Sequence, residues 1–390
     1  MELLNLNDFI PYDSPVSLYV HIPFCGKKCG YCDFFSVENS PEEFPGFMDG
    51  LQRQLEYFTE ELGISDFETV FIGGGTPNVL PVKMLEEVLK CIAAKTGKNC
   101  LEWSIELNPE HLVREHISLF NDSPVTRLSL GIQSFFPRFL QVLGRSAGAE
   151  DIQRALDLIK TAWKGDLSLD LICSISGQDG EDLLRDLDAA LSFQPNHISL
   201  YTLSLEEGTP MYDEVQKGSV IENDVNENYE SWQRGISYLQ NNGFRRYEIS
   251  NFAPEGYECL HNLRYWRMRP YIGCGPGAVS TVTSGNSRFR IENDKNLHHW
   301  EMQIEELKNK DFILEFIMMG LRLSEGIGKQ KFFREFGIQF QDIFKNNLKN
   351  WISRGLVLET SDQIVCTPRG WDVLNILLRE AAAVLDSTSA

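Results

Sequence analysis

Three cysteines, Cys25, Cys29 and Cys32, lie within one stretch of eight residues. They follow a short apolar run, residues 18–23, which is typical of a β-strand that ends at a proline. A loop that leaves a strand end can fold three thiolates around one metal centre. Three thiolates are one fewer than the four that close an ordinary 4Fe–4S cluster, so one iron stays open to a substrate. A zinc site with His21 as fourth ligand, or three unrelated thiols, are the alternatives that these residues leave open.

The composition excludes several classes of protein. The chain has 390 residues and a formal net charge of −20, which argues against extended electrostatic binding to nucleic acid. Its nine cysteines are odd in number and scattered, which indicates free thiols in a reducing compartment. No apolar run approaches the ~18 residues of a membrane helix, and the N-terminus fits neither a secretory nor a transit peptide. We therefore expect a cytoplasmic protein with no nucleic-acid partner and no integral membrane segment.

Strand and helix patterns alternate from residue 18 to about residue 205. This alternation predicts parallel strands joined by right-handed crossovers. Six units are too few for an eight-fold barrel, so the pattern predicts an α/β fold, an open (β/α)6 barrel of the TIM type. The predicted strands are 18–23, 69–72, 102–107, 127–131, 167–172 and 197–202.

The rest of the chain has a different pattern. Residues 297–323 have helical periodicity, and after residue 327 the order helix, helix, strand, strand, helix is typical of a winged-helix-like domain. We predict four parts, namely a lead-in over 1–17, the partial barrel over 18–205, a linker region over 206–296 and a C-terminal helical, winged-helix-like domain over 297–390.

Special residues follow the predicted strands, where the chemistry of such barrels lies. Glycines before Thr76 let a ligand approach the backbone closely, and free N–H groups there can hold a carboxylate. Glu106 ends the third strand, where a carboxylate can pair with an ammonium group or ribose hydroxyls; a solvated or helix-capping acid is the alternative. The same two alternatives, contact with a ligand or a solvated or capping role, apply to Gln133 and Asp170. Arg145 can hold a carboxylate through a bidentate contact.

Several of these segments together resemble the radical S-adenosylmethionine (SAM) enzymes. Within that superfamily they resemble the oxygen-independent coproporphyrinogen III oxidases and the related HemW-like heme chaperones, over about residues 16–330. The segments are HIPFCGKKCGYCDFF, FIGGGTPN, IELNPE, RLSLGIQSF, LGR, HISLYTL and YEISNFA. The resemblance implies a 4Fe–4S cluster whose open iron is chelated by SAM, and a reduced cluster that splits SAM to a 5′-deoxyadenosyl radical.

The resemblance also implies a set of site residues. It places Cys25, Cys29 and Cys32 as the cluster ligands. It implies that SAM is bound by Tyr19, Tyr31, Gly74, Gly75, Thr76, Glu106, Gln133, Arg145 and Asp170.

Three features favour the chaperone branch over the oxidases. The oxidases carry a further cysteine two residues beyond the third ligand, where this chain has Phe34. They also have a longer N-terminal arm than the roughly 17 residues found here. Residues 261–266, HNLRYW, fit the HNxxYW segment of the chaperone branch. The resemblance thus implies a protein that binds heme and transfers it to an unspecified acceptor protein, with coproporphyrinogen III oxidase or a metal-binding scaffold without radical chemistry as alternatives.

His261 is the predicted heme ligand, because a neutral imidazole binds heme iron well and aromatic neighbours pack on the macrocycle. A structural loop histidine is the alternative, and Cys259 is a second, weaker candidate. Two segments depart from the family pattern. Residues 173–179 lack the usual Gly-Leu-Pro-Gly-Gln-Thr ending, and Val279 stands where the family commonly has histidine.

Overall fold

A computed structural model describes residues 15–38, 40–61, 63–64, 66–284, 287–297 and 300–387. Most of the predicted lead-in, residues 1–14, lies outside this part of the chain.

All six predicted barrel strands are confirmed, and they lie side by side in chain order as parallel neighbours. Their register pairs Tyr19 with Phe71 and Leu130 with Leu169. The strands are β1 (Val16–Ile22), β2 (Phe67–Gly74), β3 (Glu102–Leu107), β4 (Arg127–Gln133), β5 (Asp166–Cys173) and β6 (His197–Thr202).

The sheet continues beyond these six strands on both sides. Within the described chain it is one open sheet of twelve strands, so the barrel is partial, as predicted. Beside β1 lie Tyr271–Cys274, Val279–Ser284, Ser287–Asn293 and Met302–Glu306; beside β6 lie Asn251–Ala253 and Arg245–Arg246. A short separate ladder joins Phe24–Cys25 to Val37–Glu38.

Helices connect and cover the strands. Around the barrel they are Phe44–Glu56, Val82–Lys95, Arg114–Asn121, Pro137–Val142, Ala149–Ala162 and Gly180–Ser192. After β6 come Pro210–Gln216, Val225–Asn241 and Leu260–Trp266. The C-terminal part contains Asn309–Arg322, Lys329–Phe336, Phe340–Ser353, Pro368–Asp372 and Leu374–Ser387.

The predicted helix over 297–323 is wrong in its first half. Met302–Glu306 is a strand that pairs antiparallel with Ser287–Asn293, because residues 302–306 alternate between half-buried and exposed positions with the period of a strand. The helix begins only at Asn309. The sheet therefore runs across the predicted domain boundaries after residues 205 and 296, which stay predictions.

A second hydrophobic core lies in the C-terminal part, between Phe312 and Leu385. Two helices precede the antiparallel strands Val357–Glu359 and Gln363–Cys366, to which the short strand Ile327–Gly328 adds a third. The predicted winged-helix-like order is confirmed.

The barrel strands carry two kinds of buried face. On the outer face, Leu18, Val20 and Ile22 of β1 belong to the main hydrophobic core. The inner face is largely polar: residues such as Ser129, Ser168 and Ser199 line a cavity of about 280 Å³, which we call the lumen. Strands buried on both faces are usually apolar throughout, so the polar inner face indicates a site for polar ligands.

Candidate cluster and cofactor site

The cysteine loop leaves the carboxyl end of β1 and is held in place by backbone hydrogen bonds. Gly30 N–H donates to Leu143 O at 3.1 Å, and Met211 N–H donates to Gly30 O at 2.8 Å. Cys25 is buried, whereas Cys29 and Cys32 are half-buried, and all three are free thiols. The loop is therefore held in place at Gly30, between its second and third cysteines.

The surroundings of the thiols fit a cluster. Burial raises the pKa of the Cys25 thiol, while the hydroxyl of Thr76 and the charge of Arg145 act to lower it. No three His, Cys, Asp or Glu side chains in the described ranges are close enough to hold a single metal ion. A 4Fe–4S cluster does not require this, because each thiolate binds a different iron. Three free thiols beside a half-buried guanidinium match the donor set of a cluster with one open iron.

His21, the alternative zinc ligand, has both ring nitrogens engaged. Its Nε2 donates to the carbonyl oxygen of Phe35 at 2.9 Å, and its Nδ1 accepts from the hydroxyl of Tyr19 at 3.0 Å. Burial lowers the pKa of His21, so the ring is neutral. The ring also lies against the glycine loop, since a Cβ on Gly74 would be 2.6 Å from it.

The glycine loop after β2 serves the cysteine strand more directly than we predicted. Gly75 N–H donates to Ile22 O and Thr76 N–H donates to Phe24 O, both at 2.7 Å. A Cβ on Gly75 would be 2.5 Å from Phe24 O. Of the N–H groups that we expected to hold a carboxylate, those of Gly75 and Thr76 bind the backbone beside Cys25 instead, whereas that of Gly74 donates to the carboxylate of Glu106.

Two half-buried carboxyl groups, Glu106 and Asp170, line the lumen. Burial, and then the charge of Asp170, raise the pKa of Glu106 to about 7, against a hydrogen bond from Gly74 N–H at 3.1 Å. Burial also raises the pKa of Asp170, opposed by the hydroxyls of Ser199, Ser129 and Ser168. An acidic pair of this kind favours a cationic ligand, such as a sulfonium or an ammonium group.

Arg145 is half-buried beside the cysteine loop, and its guanidinium is already hydrogen-bonded within the protein. Nη2 donates to Gly131 O at 2.8 Å and to Asn108 Oδ1 at 3.1 Å, and Nη1 approaches the Cys29 sulfur at 3.6 Å. Among its nitrogens in the described structure, Nε alone lacks a partner. The bidentate hold on a carboxylate that we predicted would require these bonds to rearrange.

The other predicted SAM residues lie around the same end of the barrel. Tyr31 is near Cys29, Cys32 and Arg145, and burial raises its pKa. Gln133 has a positive φ of 67°, which is uncommon for a residue other than glycine. The turn after it is fixed by the carboxylate of Asp186, which accepts from Phe135 N–H at 2.7 Å and Ser134 Oγ–H at 2.8 Å. The structure thus brings the predicted residues together, and their contact with SAM stays a prediction.

His261 lies at the opposite end of the barrel from the cysteines. It belongs to the helix Leu260–Trp266, which we call the floor helix because it covers the amino ends of the strands. Thr69 donates its hydroxyl to Ser17 and accepts from His261 Nδ1 at 2.8 Å. His261 Nε2 therefore accepts from the Tyr265 hydroxyl, at 3.0 Å. The side chain is fully buried and its pKa is lowered to about 3 by burial and then by the charge of Arg264.

A buried ion pair beneath the lumen holds the floor helix. Glu102 at the start of β3 pairs with Arg127 at 3.3 Å and accepts from the N–H groups of Leu260 and His261, each at 3.1 Å. The thiol of Cys259 also donates to Glu102, at 3.3 Å, and burial raises its pKa well above the usual value. Cys259, the second candidate heme ligand, is thus buried at the start of the floor helix with its thiol bonded to Glu102.

Sequence reasoning missed several residues that line or support the site. All but Asn108 share one signal, a polar side chain at an inward position of a strand that is otherwise apolar. They are Glu102, Asn108, Arg127, Ser129, Ser168, His197 and Ser199. Asn108 directly follows β3 and carried the same signal as Glu106.

The positions that distinguished the branches are also visible. Phe34 is 66% exposed and lies at the lumen entrance, where the oxidases have a cysteine. Val279 begins a strand beside Gly273, whose hypothetical Cβ would be 2.2 Å from the Val279 oxygen. In the altered segment 173–179, Ser174 and Gly177 have positive φ angles, and Gln178 bonds to Asp186.

Comparisons with known proteins agree with this geometry. Residues 19–190 match the model of the radical SAM superfamily, and residues 307–373 match that of the HemN C-terminal domain. In structure, the chain is similar to Escherichia coli coproporphyrinogen III oxidase (HemN), with a TM-score of 0.82 and 20% identity over 99% of this chain and 94% of that one. The fold is that of a radical SAM protein.

Full-length relatives narrow the family. The chain is 34% identical to the heme chaperone HemW of Buchnera aphidicola subsp. Schizaphis graminum, over 94% of this chain and 98% of that protein. It is 31% identical to HemW of Escherichia coli K12, over 93% and 97%. It is also 31% identical to the mouse protein named radical S-adenosyl methionine domain-containing protein 1, mitochondrial, over 93% and 86%. The chain belongs to the HemW family.

Membership of the superfamily implies a 4Fe–4S cluster and SAM. The described helices include none that is both long enough and apolar enough to cross a bilayer.

Proposed function

We propose that this protein is a cytoplasmic heme chaperone that binds heme, together with one 4Fe–4S cluster and SAM, and transfers the heme to an acceptor protein. The observation that carries the proposal is identity of 30–34% with HemW proteins over more than nine-tenths of the chain. Phe34 supports it, because no thiol is available at the position where the oxidases have their additional cysteine.

The residues at the carboxyl end of the barrel would bind and shield the cofactors. Cys25, Cys29 and Cys32 supply the three thiolates, and the acidic pair Glu106 and Asp170 attracts the positive charges of SAM. When bound and reduced, the cluster supplies one electron to the sulfonium of SAM.

His261 remains the proposed heme ligand, but it must first be released from its present contacts. Its Nε2, the nitrogen that would bind iron, is occupied by Tyr265. The lumen is also smaller than the roughly 300–1,000 Å³ of pockets for drug-sized ligands. Heme ligation therefore requires the floor helix to move. Because the pKa of His261 is about 3, the imidazole stays neutral near pH 6.5, and heme affinity should not fall there as free histidine would predict.

Heme titration of the purified protein, followed by the Soret band, tests the proposal. His261→Ala should abolish the Soret shift. Tyr265→Phe should strengthen binding about 5-fold, because it frees Nε2 from a hydrogen bond worth about 1 kcal/mol. His116→Ala, at another buried histidine, is the matched control and should bind as the wild type does. Absence of heme binding to the wild-type protein would overturn the chaperone proposal, and binding that survives His261→Ala would place the ligand elsewhere.

The alternative function is oxidative decarboxylation of coproporphyrinogen III, the reaction named for the structurally similar HemN. That similarity is at 20% identity and concerns the fold alone. An anaerobic assay for protoporphyrinogen, with reductant and SAM, separates the two functions. Robust turnover would overturn the chaperone proposal and favour the oxidase function.

A further inference from the structure

Asn108, which directly follows β3, joins the two sides of the cysteine loop. Its side-chain Nδ2 donates to Thr76 Oγ1 at 2.9 Å, and its Oδ1 accepts from Arg145 Nη2 at 3.1 Å. Thr76 in turn lies 3.5 Å from the sulfur of Cys25, and Arg145 lies 3.6 Å from that of Cys29. The amide group of Asn108 thus bonds to both Thr76 and Arg145, and each of these two residues contacts a different ligand sulfur.

The chemistry of the neighbours fixes the orientation of this amide. A guanidinium has only donors, so the oxygen of Asn108 must face Arg145 and its NH₂ group must face Thr76. Because Thr76 Oγ1 accepts from the amide, its own proton is free to point at Cys25. The chain of bonds therefore directs one donor to each sulfur, a hydroxyl to Cys25 and a charged N–H to Cys29.

Asn108 is itself held rigidly. Asn78, which is buried, donates from Nδ2 to Asn108 O at 2.9 Å and accepts from Asn108 N–H at 3.0 Å. Arg145 is fixed from its other side by Gly131 O at 2.8 Å. With its backbone held by Asn78 and its amide bonded to Thr76 and Arg145, Asn108 has little conformational freedom left to lose when it positions its partners.

We propose that Asn108 is a positioning residue for the cluster: through Thr76 and Arg145 it fixes one hydrogen-bond donor against each of two ligand sulfurs and so keeps the midpoint potential of the cluster from becoming more negative. Donors and positive charge beside ligand sulfurs stabilise the reduced cluster, which carries one more negative charge. The inference rests on the cluster of the proposed function and is independent of heme binding.

The experiment is a redox titration of the reconstituted full-length protein, without SAM or heme, followed by the paramagnetic signal of the reduced cluster. Asn108→Ala should shift the midpoint potential to a more negative value. Thr76→Val, which removes the hydroxyl at nearly constant shape, should shift it in the same direction by less, and Thr76→Ser should restore the wild-type value. Asn121→Ala is the matched control, because Asn121 donates to Ala162 O at the end of an outer helix.

The outcomes separate positioning from simple damage. An unchanged potential in a fully loaded Asn108→Ala protein would overturn the proposal, as would an equal shift in Asn121→Ala. If Asn108→Ala does not load a cluster, the pair Thr76→Val and Thr76→Ser decides, since equal potentials in those two variants would overturn it as well. Failure of heme binding would leave these potentials unaffected, so the two proposals fail independently.

Discussion

The two ends of the barrel differ in how many of their polar groups are already bonded within the protein. At the carboxyl end lie the three free thiols of the cysteine loop, and the carboxyl groups of Glu106 and Asp170, whose pKa values are raised, line the lumen. At the amino end, the floor helix is fastened by Glu102, and both nitrogens of His261 are bonded. The carboxyl end thus retains groups that can bind a ligand, whereas most polar groups at the amino end are already bonded to each other and close the barrel.

This difference changes the meaning of the HNxxYW segment. Read as sequence, the segment is an accessible histidine among aromatics; in the fold, it seals the lumen. A heme site at this position must therefore be opened before it binds, which suits a carrier that takes up and releases its cargo. The contrast between a ligand-ready end and a sealed end can be tested by paired substitutions.

The largest expected effect is at the cysteine loop. Changing Cys25, Cys29 or Cys32 to Ala should remove the broad charge-transfer absorption of the reconstituted protein entirely, because each thiolate holds a separate iron. Cys91→Ala, at a half-buried thiol on an outer helix, should retain about four irons and four sulfides per chain. An equal loss of absorption in Cys91→Ala would contradict the assignment of the three loop cysteines as the cluster ligands.

The next largest effect is at the floor. Glu102→Ala leaves the buried Arg127 without its main partner and should lower the free energy of unfolding by about 3–5 kcal/mol, measured by urea titration of the cluster-free protein. Glu106→Ala, the same change on the same strand near the cysteine end, should cost less than about 1 kcal/mol, because among the described residues that carboxyl group has one hydrogen bond and no ion pair. Similar losses in both variants would contradict the contrast.

The smallest effect depends on pH. The folded-state pKa of Glu106 is about 7, above its usual 4.5, so its contribution to stability is present below pH 4.5 and is lost as pH rises through 7. Glu106→Gln should therefore stabilise the cluster-free protein at pH 8 by about 1–3 kcal/mol and have little effect at pH 4.5. Thermal unfolding at the two pH values measures this, with Glu86→Gln on an exposed helix face as control. Equal effects at both pH values would show that Glu106 is not held in its protonated form.

The sequence by itself determined the six strands, their parallel order and the place of the cysteine loop. Apolar runs between turn residues are local signals, and right-handed crossovers leave few topologies for alternating strands and helices. Three cysteines at fixed spacing carry their chemistry in the sequence, because neighbours along one loop must be neighbours in space.

Only the tertiary structure decided what the isolated polar residues do. Glu102 and Glu106 lie on one strand four residues apart, yet the first anchors the floor helix across 158 positions of sequence and the second lines the lumen. His261 is buried because Thr69 and Tyr265 satisfy both of its nitrogens, and Asn108 gains its place from Thr76 and Arg145. Hydrogen-bond partners from distant segments are set by the packing of the whole sheet, and no local pattern records them.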